Sequence, residues 1–83
     1  MSNKHLPARL HVKRLKDSHG GYKEFYKVLY GHNAESHNEL QRFINYVNRG
    51  LYNLDFLLLL VTKAGLTGIT IEDFLLGDFT LED

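Results

Sequence analysis

The sequence predicts an all-α protein, a compact bundle of about five short helices in one domain that spans residues 1–83. Apolar residues recur at helical spacing in five successive segments, and glycines separate these segments. A chain of 83 residues with 43% hydrophobic content has enough apolar side chains for one core and seldom enough for two. We expect residues 1–6 and 78–83 to be flexible tails outside that core.

The first predicted helix starts at Pro7, because proline has the φ angle of a first helical turn and its missing N–H is not needed there. Ala8, Val12 and Leu15 follow with the spacing i, i+4 and i+7, and Gly20 is the expected end of the helix. These three side chains therefore form one apolar face.

The second segment, Tyr22 to Tyr30, fits two patterns. Its large apolar residues have helical spacing, and they are Tyr22, Phe25, Tyr26, Leu29 and Tyr30. Aromatic richness also suits a strand. We favour a helix. The alternative is an α+β fold whose N-terminal β-hairpin pairs Arg9 to Leu15 with Tyr22 to Tyr30 around Gly20-Gly21.

The third segment, Ser36 to Gly50, has the clearest helical pattern. Ser36 and Glu39 form a capping box, in which the hydroxyl accepts from a free backbone N–H and the carboxylate reaches back to the cap. An apolar stripe follows, and Gly50 supplies the left-handed residue that ends a helix. The stripe consists of Leu40, Phe43, Ile44 and Val47.

Two more helices are predicted in the C-terminal half. Asn53 caps a fourth helix that continues to Gly65 and is apolar on nearly every side, so we expect it to lie at the centre of the bundle. Thr70 and Asp73 mark the start of a fifth helix, and Gly77 is its expected end. The apolar residues of this fifth helix are Ile71, Phe74 and Leu75.

The formal net charge of zero conceals opposite charges in the two halves of the chain. Residues 1–49 contain nine Lys and Arg against four acids, and residues 50–83 contain one Lys against six acids. A chain with this asymmetry can present a basic surface to a polyanion such as nucleic acid. The other interpretation is two solvated surfaces of opposite sign.

The composition also bears on the compartment. Without cysteine the chain has neither disulfides nor thiolate metal sites, which suits a reducing environment. The longest apolar run, Phe56 to Val61, is far too short to cross a bilayer. We therefore expect a cytoplasmic protein that does not enter the membrane.

The outward face of the third helix is made of amides and arginines. Once the apolar stripe turns inward, the residues left outside are Asn38, Gln41, Arg42, Asn45, Asn48 and Arg49. Asn and Gln can grip the N6 and N7 edge of adenine, and Arg can fork onto O6 and N7 of guanine. Ordinary surface helices use more Lys and Glu, and Asn is a poor helix former. This pattern favours base recognition over an ordinary solvated face.

The sequence offers little for catalysis or metal binding. Of the five histidines, His32 and His37 have a spacing that zinc pairs use, and no further ligands complete a site. No nucleophile with a base, and no glycine loop for phosphate, can be assembled. Tyr22, Tyr26 and Tyr30 could stack on nucleobases, but their shared helical face makes a core role the better interpretation. We predict no enzyme activity, no catalytic residue, no metal site and no cofactor.

Five stretches carry a resemblance to a known family, and they cover about residues 8 to 77 in order. They are Val12 to Gly20, Tyr22 to Gly31, Ile44 to Gly50, Leu54 to Leu66 and Thr70 to Leu75. Together they resemble the lambda-repressor-like helix-turn-helix domains of phage and bacterial regulators, the Cro and repressor type. Ile44 to Gly50 is similar to the end of that family's recognition helix, and Leu54 to Leu66 to its leucine-rich fourth helix.

The resemblance implies a transcriptional regulator in which residues 37–48 read the major groove of double-stranded DNA. It places four side chains toward base edges, namely Asn38, Gln41, Arg42 and Asn45. The candidates for phosphate contacts are Lys13, Arg14, Lys16, Lys23, Lys27 and Arg49. Domains of this kind usually bind paired half-sites, so a homodimer is expected.

A second hypothesis is a small protein-interaction module, such as an antitoxin-like or phage-encoded inhibitor, that does not bind DNA. It would use the same helix face, or the acidic C-terminal part of the chain, against a protein partner. The zero net charge supports this hypothesis. Salt-sensitive binding to duplex DNA would contradict it.

Overall fold

A computed structural model describes residues 6–76, and all regular secondary structure in that range is helical. The five helices are α1 (Leu6–Ser18), α2 (Tyr22–Tyr30), α3 (His37–Arg49), α4 (Leu54–Thr62) and α5 (Ile71–Leu76). The predicted all-α bundle is confirmed. The β-hairpin alternative is wrong, because both of its strands are helices. The predicted tails and the Gly77 stop lie outside the described residues, except that Leu6 begins α1.

The predicted N-caps are confirmed in three of the helices. In each, a side-chain oxygen accepts a hydrogen bond from an N–H of the first turn: Ser36 from Glu39 at 3.0 Å, Asn53 from Phe56 at 2.8 Å, and Thr70 from Asp73 at 3.0 Å. Gly50 ends α3 with φ of 82°, a left-handed conformation that costs glycine little. The ends of α3 are therefore fixed by local sequence.

Helix α1 lies at the centre of the bundle, where it packs against α2, α3 and α5. Its predicted apolar face is buried: Ala8 is 3% exposed, Val12 is fully buried, and Leu15 packs against the core. The other buried core residues among those described are Phe25, Tyr26, Leu29, Phe43, Val47, Phe56, Leu60, Ala64 and Phe74. One continuous core thus joins all five helices.

Helix α4 is not the central helix that its composition predicts. Within it only Phe56 and Leu60 are buried, whereas Leu54 and Leu58 are 81% and 60% exposed. Helix α1 takes the central place, since it packs against α2, α3 and α5, while α4 meets the core along the side that carries Phe56 and Leu60. Helix α4 also ends at Thr62, before the predicted stop.

The loop between α3 and α4 is held by two tyrosines. The Tyr52 hydroxyl donates to the Val47 carbonyl oxygen at 2.6 Å, and the Tyr46 hydroxyl accepts from the Asn53 N–H at 2.9 Å. The rings of Tyr46 and Tyr52 each lie 5.0 Å from the ring of Phe56. These contacts attach the start of α4 to the end of α3.

Phe43 of α3 connects three helices through its ring. Its ring centroid lies 5.9 Å from Phe25, 5.2 Å from Tyr26 and 6.1 Å from Tyr30 in α2, and 6.5 Å from Phe56 in α4. The pairs with Tyr26 and Tyr30 are edge-to-face, an arrangement worth about 0.5–1.5 kcal/mol beyond the burial of area. Phe43 therefore fixes where α3 sits relative to α2 and α4.

The central position of Phe43 can be tested by substitution. We expect Phe43→Ala to lower the free energy of unfolding by about 3–5 kcal/mol, because it removes apolar contacts and leaves a cavity between three helices. Urea unfolding followed by circular dichroism measures this change. Asn45→Ala, on the exposed side of the same helix, should change the value by less than about 0.5 kcal/mol. Equal effects of the two substitutions would contradict the proposed packing.

Candidate nucleic-acid interface

The six residues predicted to face outward from α3 are all exposed, and we call them the α3 outer face. They are Asn38, Gln41, Arg42, Asn45, Asn48 and Arg49. On the opposite side Phe43 and Val47 are buried and Leu40 packs against the core. Ile44, predicted to point inward, is half-buried at the boundary between the two sides. The outer face itself contains no carboxylate.

Two amides of the α3 outer face are joined to each other. The Gln41 Nε2 donates to the Asn45 Oδ1 at 3.2 Å, one helical turn away. An amide carries two N–H donors and a carbonyl acceptor, so the pair still offers the Gln41 oxygen and the Asn45 N–H groups to a partner. An acceptor beside a donor matches the N6 and N7 edge of adenine. The internal bond orders both side chains before any partner arrives.

The C-terminal part of the α3 outer face is attached to α2. The Tyr22 hydroxyl donates to the Asn48 Oδ1 at 3.3 Å, so Asn48 already has a partner within the chain. Arg49 stands in the last turn of α3, where a cation is favourable next to the free carbonyl groups. Of the two, Arg49 is therefore better placed to contact an external anion.

Glu39 attaches the N-terminal part of α3 to α2. Its Oε2 accepts from the Tyr26 hydroxyl at 2.5 Å, and its Oε1 accepts from the Glu35 N–H at 2.9 Å. The second bond corrects the predicted capping box, because the carboxylate reaches past Ser36 to the preceding residue. Its two bonds with α2 and the loop engage both oxygens of this carboxylate.

The two partners shift each other's pKa in opposite directions. Hydrogen bonds from Tyr26 and from the Glu35 backbone hold the pKa of Glu39 below its usual value, because they stabilise the charged carboxylate. The bond to Glu39, together with burial, raises the pKa of Tyr26 to about 12. At neutral pH the Tyr26 hydroxyl is therefore protonated, and it donates a hydrogen bond to the ionised carboxylate of Glu39.

Three of the predicted phosphate-contact residues lie on α2 and α3. Lys23 is exposed and borders a depression of about 320 Å³ that Ser36 and His37, at the start of α3, also line. Lys27 is exposed one turn further along α2, and Arg49 belongs to the α3 outer face. Lys23 and Arg49 thus lie near opposite ends of α3.

The other three predicted phosphate-contact residues lie on α1. Lys13 is half-buried and Arg14 is exposed. The Lys16 ammonium lies 2.7 Å from the Asp17 Oδ1 and 4.7 Å from the centroid of the Tyr22 ring. Lys16 is therefore close to the residue that contacts Asn48, but Asp17 partly neutralises its charge.

An aromatic groove of about 510 Å³ adjoins the α3 outer face, and the sequence did not predict it. Its lining includes the rings of Tyr26, Tyr30, Phe43, Tyr46 and Phe56, with Glu39, Arg42 and Asp55 among the polar groups. Arg42 lies both on the α3 outer face and in the lining of the groove. The feature of the sequence that could have indicated this groove is Tyr46, an amphipathic residue next to the apolar stripe of α3.

His32 and His37, which have a spacing that zinc pairs use, are both exposed. In the stretch from Leu6 to Leu76 no three His, Cys, Asp or Glu side chains are grouped to hold a metal ion. The His32 Nδ1 instead lies 2.9 Å from the Asn33 carbonyl oxygen. In the same stretch, no helix is both long and apolar enough to cross a membrane.

Comparisons of the chain with protein-family models, with curated proteins and with solved structures find no match. The resemblance to lambda-repressor-like domains therefore rests on the order and spacing of this chain's own residues.

The Tyr26–Glu39 contact has a pH dependence that can be measured. Because the pKa of Glu39 is lowered in the folded state, its contribution to stability is present above the ordinary value of 4.5 and is lost as the pH falls through the folded-state pKa. We expect Glu39→Gln to be less stable than the parent chain at pH 7, and the difference to shrink below pH 4.5. Urea unfolding at a series of pH values measures this.

Tyr26→Phe provides the matched control, because it removes only the donated hydroxyl. In that background Glu39→Gln should cost less stability at pH 7 than it does in the parent chain. A stability difference that stays constant from neutral pH to pH 3 would exclude this account of Glu39.

Proposed function

We propose that this chain is a sequence-specific DNA-binding protein that reads the major groove with residues 37–48 of α3. The observation that carries the proposal is the composition of the exposed α3 surface, in which amides and arginines stand without a carboxylate. The side chains proposed to contact base edges are Asn38, Gln41, Arg42 and Asn45. In this proposal these residues act by binding DNA and catalyse no reaction.

The geometry of α3 supports direct contact with bases. An α-helix fits the major groove, and side chains on its outer side then reach the base edges. Gln41 and Asn45 are one turn apart and hydrogen-bonded to each other, which reduces the conformational entropy lost on binding. Arg42 is exposed beside them and can fork onto guanine.

The surrounding basic residues support contacts with phosphates. Lys23 borders the same depression as Ser36 and His37 at the start of α3, and both a lysine and a helix N-terminus attract a phosphate. Arg49 would contact the backbone from the other end of α3, and Lys13, Arg14, Lys16 and Lys27 add positive charge on α1 and α2. Such contacts position a protein on DNA without specifying sequence.

Helices α2 and α3 would act as the helix-turn-helix. They are consecutive, they pack against each other, and residues 31–36 connect them. The links from Tyr22 to Asn48 and from Tyr26 to Glu39 would hold α3 at a fixed angle on α2. In this proposal two copies bind paired half-sites as a homodimer.

The electrostatic part of the proposal is tested by salt dependence. We expect the chain to bind duplex DNA, with log K falling linearly as log salt concentration rises, at a slope of about −0.9 for each phosphate contacted. Fluorescence anisotropy with a labelled duplex of mixed sequence, titrated from low to physiological salt, measures the slope. No salt-sensitive binding at low ionic strength would refute DNA binding and leave the protein-interaction hypothesis.

The base-reading part is tested by selection from random duplexes followed by substitution. Gln41→Ala and Arg42→Ala should each relax the preference at particular base pairs by about 1–3 kcal/mol. Lys23→Ala and Lys27→Ala should weaken binding to all sequences alike and make the salt slope less steep by about 1 each. If all four variants lose affinity without any change of preference, α3 does not read bases.

Asn33→Ala is the matched control for the amide substitutions. Asn33 is exposed in the loop before α3 and lies outside the α3 outer face. Its removal should leave both the preferred sequence and the salt slope as they are.

The competing proposal, a protein-interaction module, is favoured by one specific observation. Leu54, Leu58 and Ile71 are 81%, 60% and 77% exposed on α4 and α5, and exposed apolar surfaces of this kind often mark protein contacts. Part of the acidic C-terminal region that was predicted to contact a protein, including Asp78, Glu82 and Asp83, lies outside the described residues. A protein contact on α4 and α5 would leave α3 exposed, so the two proposals are separated by DNA binding, which the interaction module lacks.

A further inference from the structure

The aromatic groove beside the α3 outer face is built by three consecutive helices. Its volume of about 510 Å³ lies within the range of about 300–1,000 Å³ that small-molecule sites occupy. The rings in its lining are Tyr26 and Tyr30 of α2, Phe43 and Tyr46 of α3, and Phe56 of α4. Phe43 and Phe56 are buried, while Tyr30 is 40% exposed and can be reached from solvent. The groove therefore offers aromatic surface to a ligand of small-molecule size.

Two tyrosines of the groove, Tyr30 and Tyr46, are held in place by contacts within the chain. Tyr30 packs edge-to-face on Phe43 with the ring centroids 6.1 Å apart, and Tyr46 packs edge-to-face on Phe56 at 5.0 Å. The Tyr46 hydroxyl also accepts from the Asn53 N–H at 2.9 Å. Burial raises the pKa of Tyr30, and the neighbouring Tyr46 raises it further, as expected for two phenols that lie near each other. The two rings are therefore positioned before any ligand arrives.

Three charged side chains line the groove, and their sum is negative. Glu39 and Arg42 have opposite charges and stand three residues apart on α3, so each offsets the other. Asp55 is exposed at the start of α4, and its carboxylate makes no hydrogen bond or ion pair with any residue from 6 to 76. The charge left over in the groove is that of one carboxylate, and it attracts a cation.

Few acceptors in the groove remain free for the N–H donors of a ligand. Both oxygens of Glu39 already accept, one from the Tyr26 hydroxyl and one from the Glu35 N–H. A primary ammonium brings three N–H donors, and each one left unpaired away from water costs free energy. A quaternary ammonium has no donor to satisfy, and both its charge and its methyl groups are favourable next to aromatic rings. The groove therefore fits a quaternary ammonium better than a primary one.

We propose that the aromatic groove binds a small quaternary ammonium compound, with its methyl groups against the rings of Tyr30 and Tyr46 and its charge facing Asp55. Arg42 lines the same groove and opposes this binding, because its charge has the same sign. A nucleotide or another anion would show the reverse dependence on Asp55 and Arg42. The binding does not rest on the proposed DNA binding.

An NMR titration of the full chain with choline chloride, without DNA, tests the proposal. We expect the amide signals of the groove residues to shift with a dissociation constant in the millimolar range or below, and sodium chloride at the same ionic strength should not shift them. The dimethylbutanol in which a carbon atom replaces the nitrogen of choline has the same shape without the charge, and it should bind at least about tenfold more weakly. Ethanolamine, the primary ammonium analogue, should also bind more weakly than choline.

Each of these comparisons can overturn the proposal. An absence of specific shifts at about 50 mM choline shows that the groove does not bind a quaternary ammonium. Equal binding of the neutral analogue shows that the groove recognises apolar shape alone. Equal binding of ethanolamine shows that it does not select the quaternary form.

Two charge substitutions identify the sign of the ligand. Asp55→Asn should weaken choline binding about two- to fivefold, and Arg42→Gln should strengthen it by a similar factor. Glu72→Gln removes a carboxylate from an exposed position on α5 that does not line the groove, and it should leave the affinity unchanged. If Asp55→Asn has no effect, or if Arg42→Gln weakens binding, charge is not what the groove recognises.

Substitution of Tyr30 separates a ring contact from simple packing. Tyr30→Phe keeps the ring and should keep the affinity, whereas Tyr30→Leu keeps an apolar side chain without the ring and should lower the affinity at least about fivefold. Circular dichroism should show that both variants are folded, since Tyr30 is 40% exposed. Equal affinities of the two variants would overturn recognition by the ring. Because no DNA is present, none of these results bears on the DNA-binding proposal.

Discussion

The position of α3 depends on the ring of Phe43. This side chain is 6% exposed, and its ring meets aromatic rings from α2 on one side and from α4 on the other. An edge-to-face contact fixes both the distance and the angle between two rings, which an aliphatic contact does not. Because Phe43 and the exposed amides belong to one rigid helix, the ring that orders the core also sets the direction of the α3 outer face.

Two polar contacts between α2 and α3 complement this apolar one. Tyr26 meets Glu39 near the first turn of α3, and Tyr22 meets Asn48 near the last. Rotation of α3 about its own axis would break both bonds and remove Phe43 from its aromatic neighbours. Three contacts, made by Phe43, Glu39 and Asn48, therefore fix the orientation of the α3 outer face. This suits a surface whose chemistry depends on the direction of its amide side chains.

The sequence predicts this fold well where the signal is local, and poorly where a partner is involved. The caps Ser36, Asn53 and Thr70 act on N–H groups three residues away, so spacing alone identifies them. The prediction that α4 lies at the centre of the bundle was wrong. Apolar residues indicate that a surface is kept from water, but they do not indicate what covers it. Leu58 would have the same sequence signal in a core and at a contact with another molecule.

The sequence also predicts the candidate site only in part. Helical periodicity was sufficient to place all of the α3 outer face on the exposed side. It could not show that Asn48 has a partner on α2, that Glu39 reaches Glu35, or that Lys16 is paired with Asp17, because side-chain partners depend on the tertiary fold or on rotamers. The charge asymmetry bears on α3 as well. Lys and Arg dominate residues 1–49 and acids dominate residues 50–83, yet Asp55 and Arg42 line the same groove beside the α3 outer face. The separation of charge along the sequence is therefore only partly kept on the surface, because the fold brings the start of α4 next to α3.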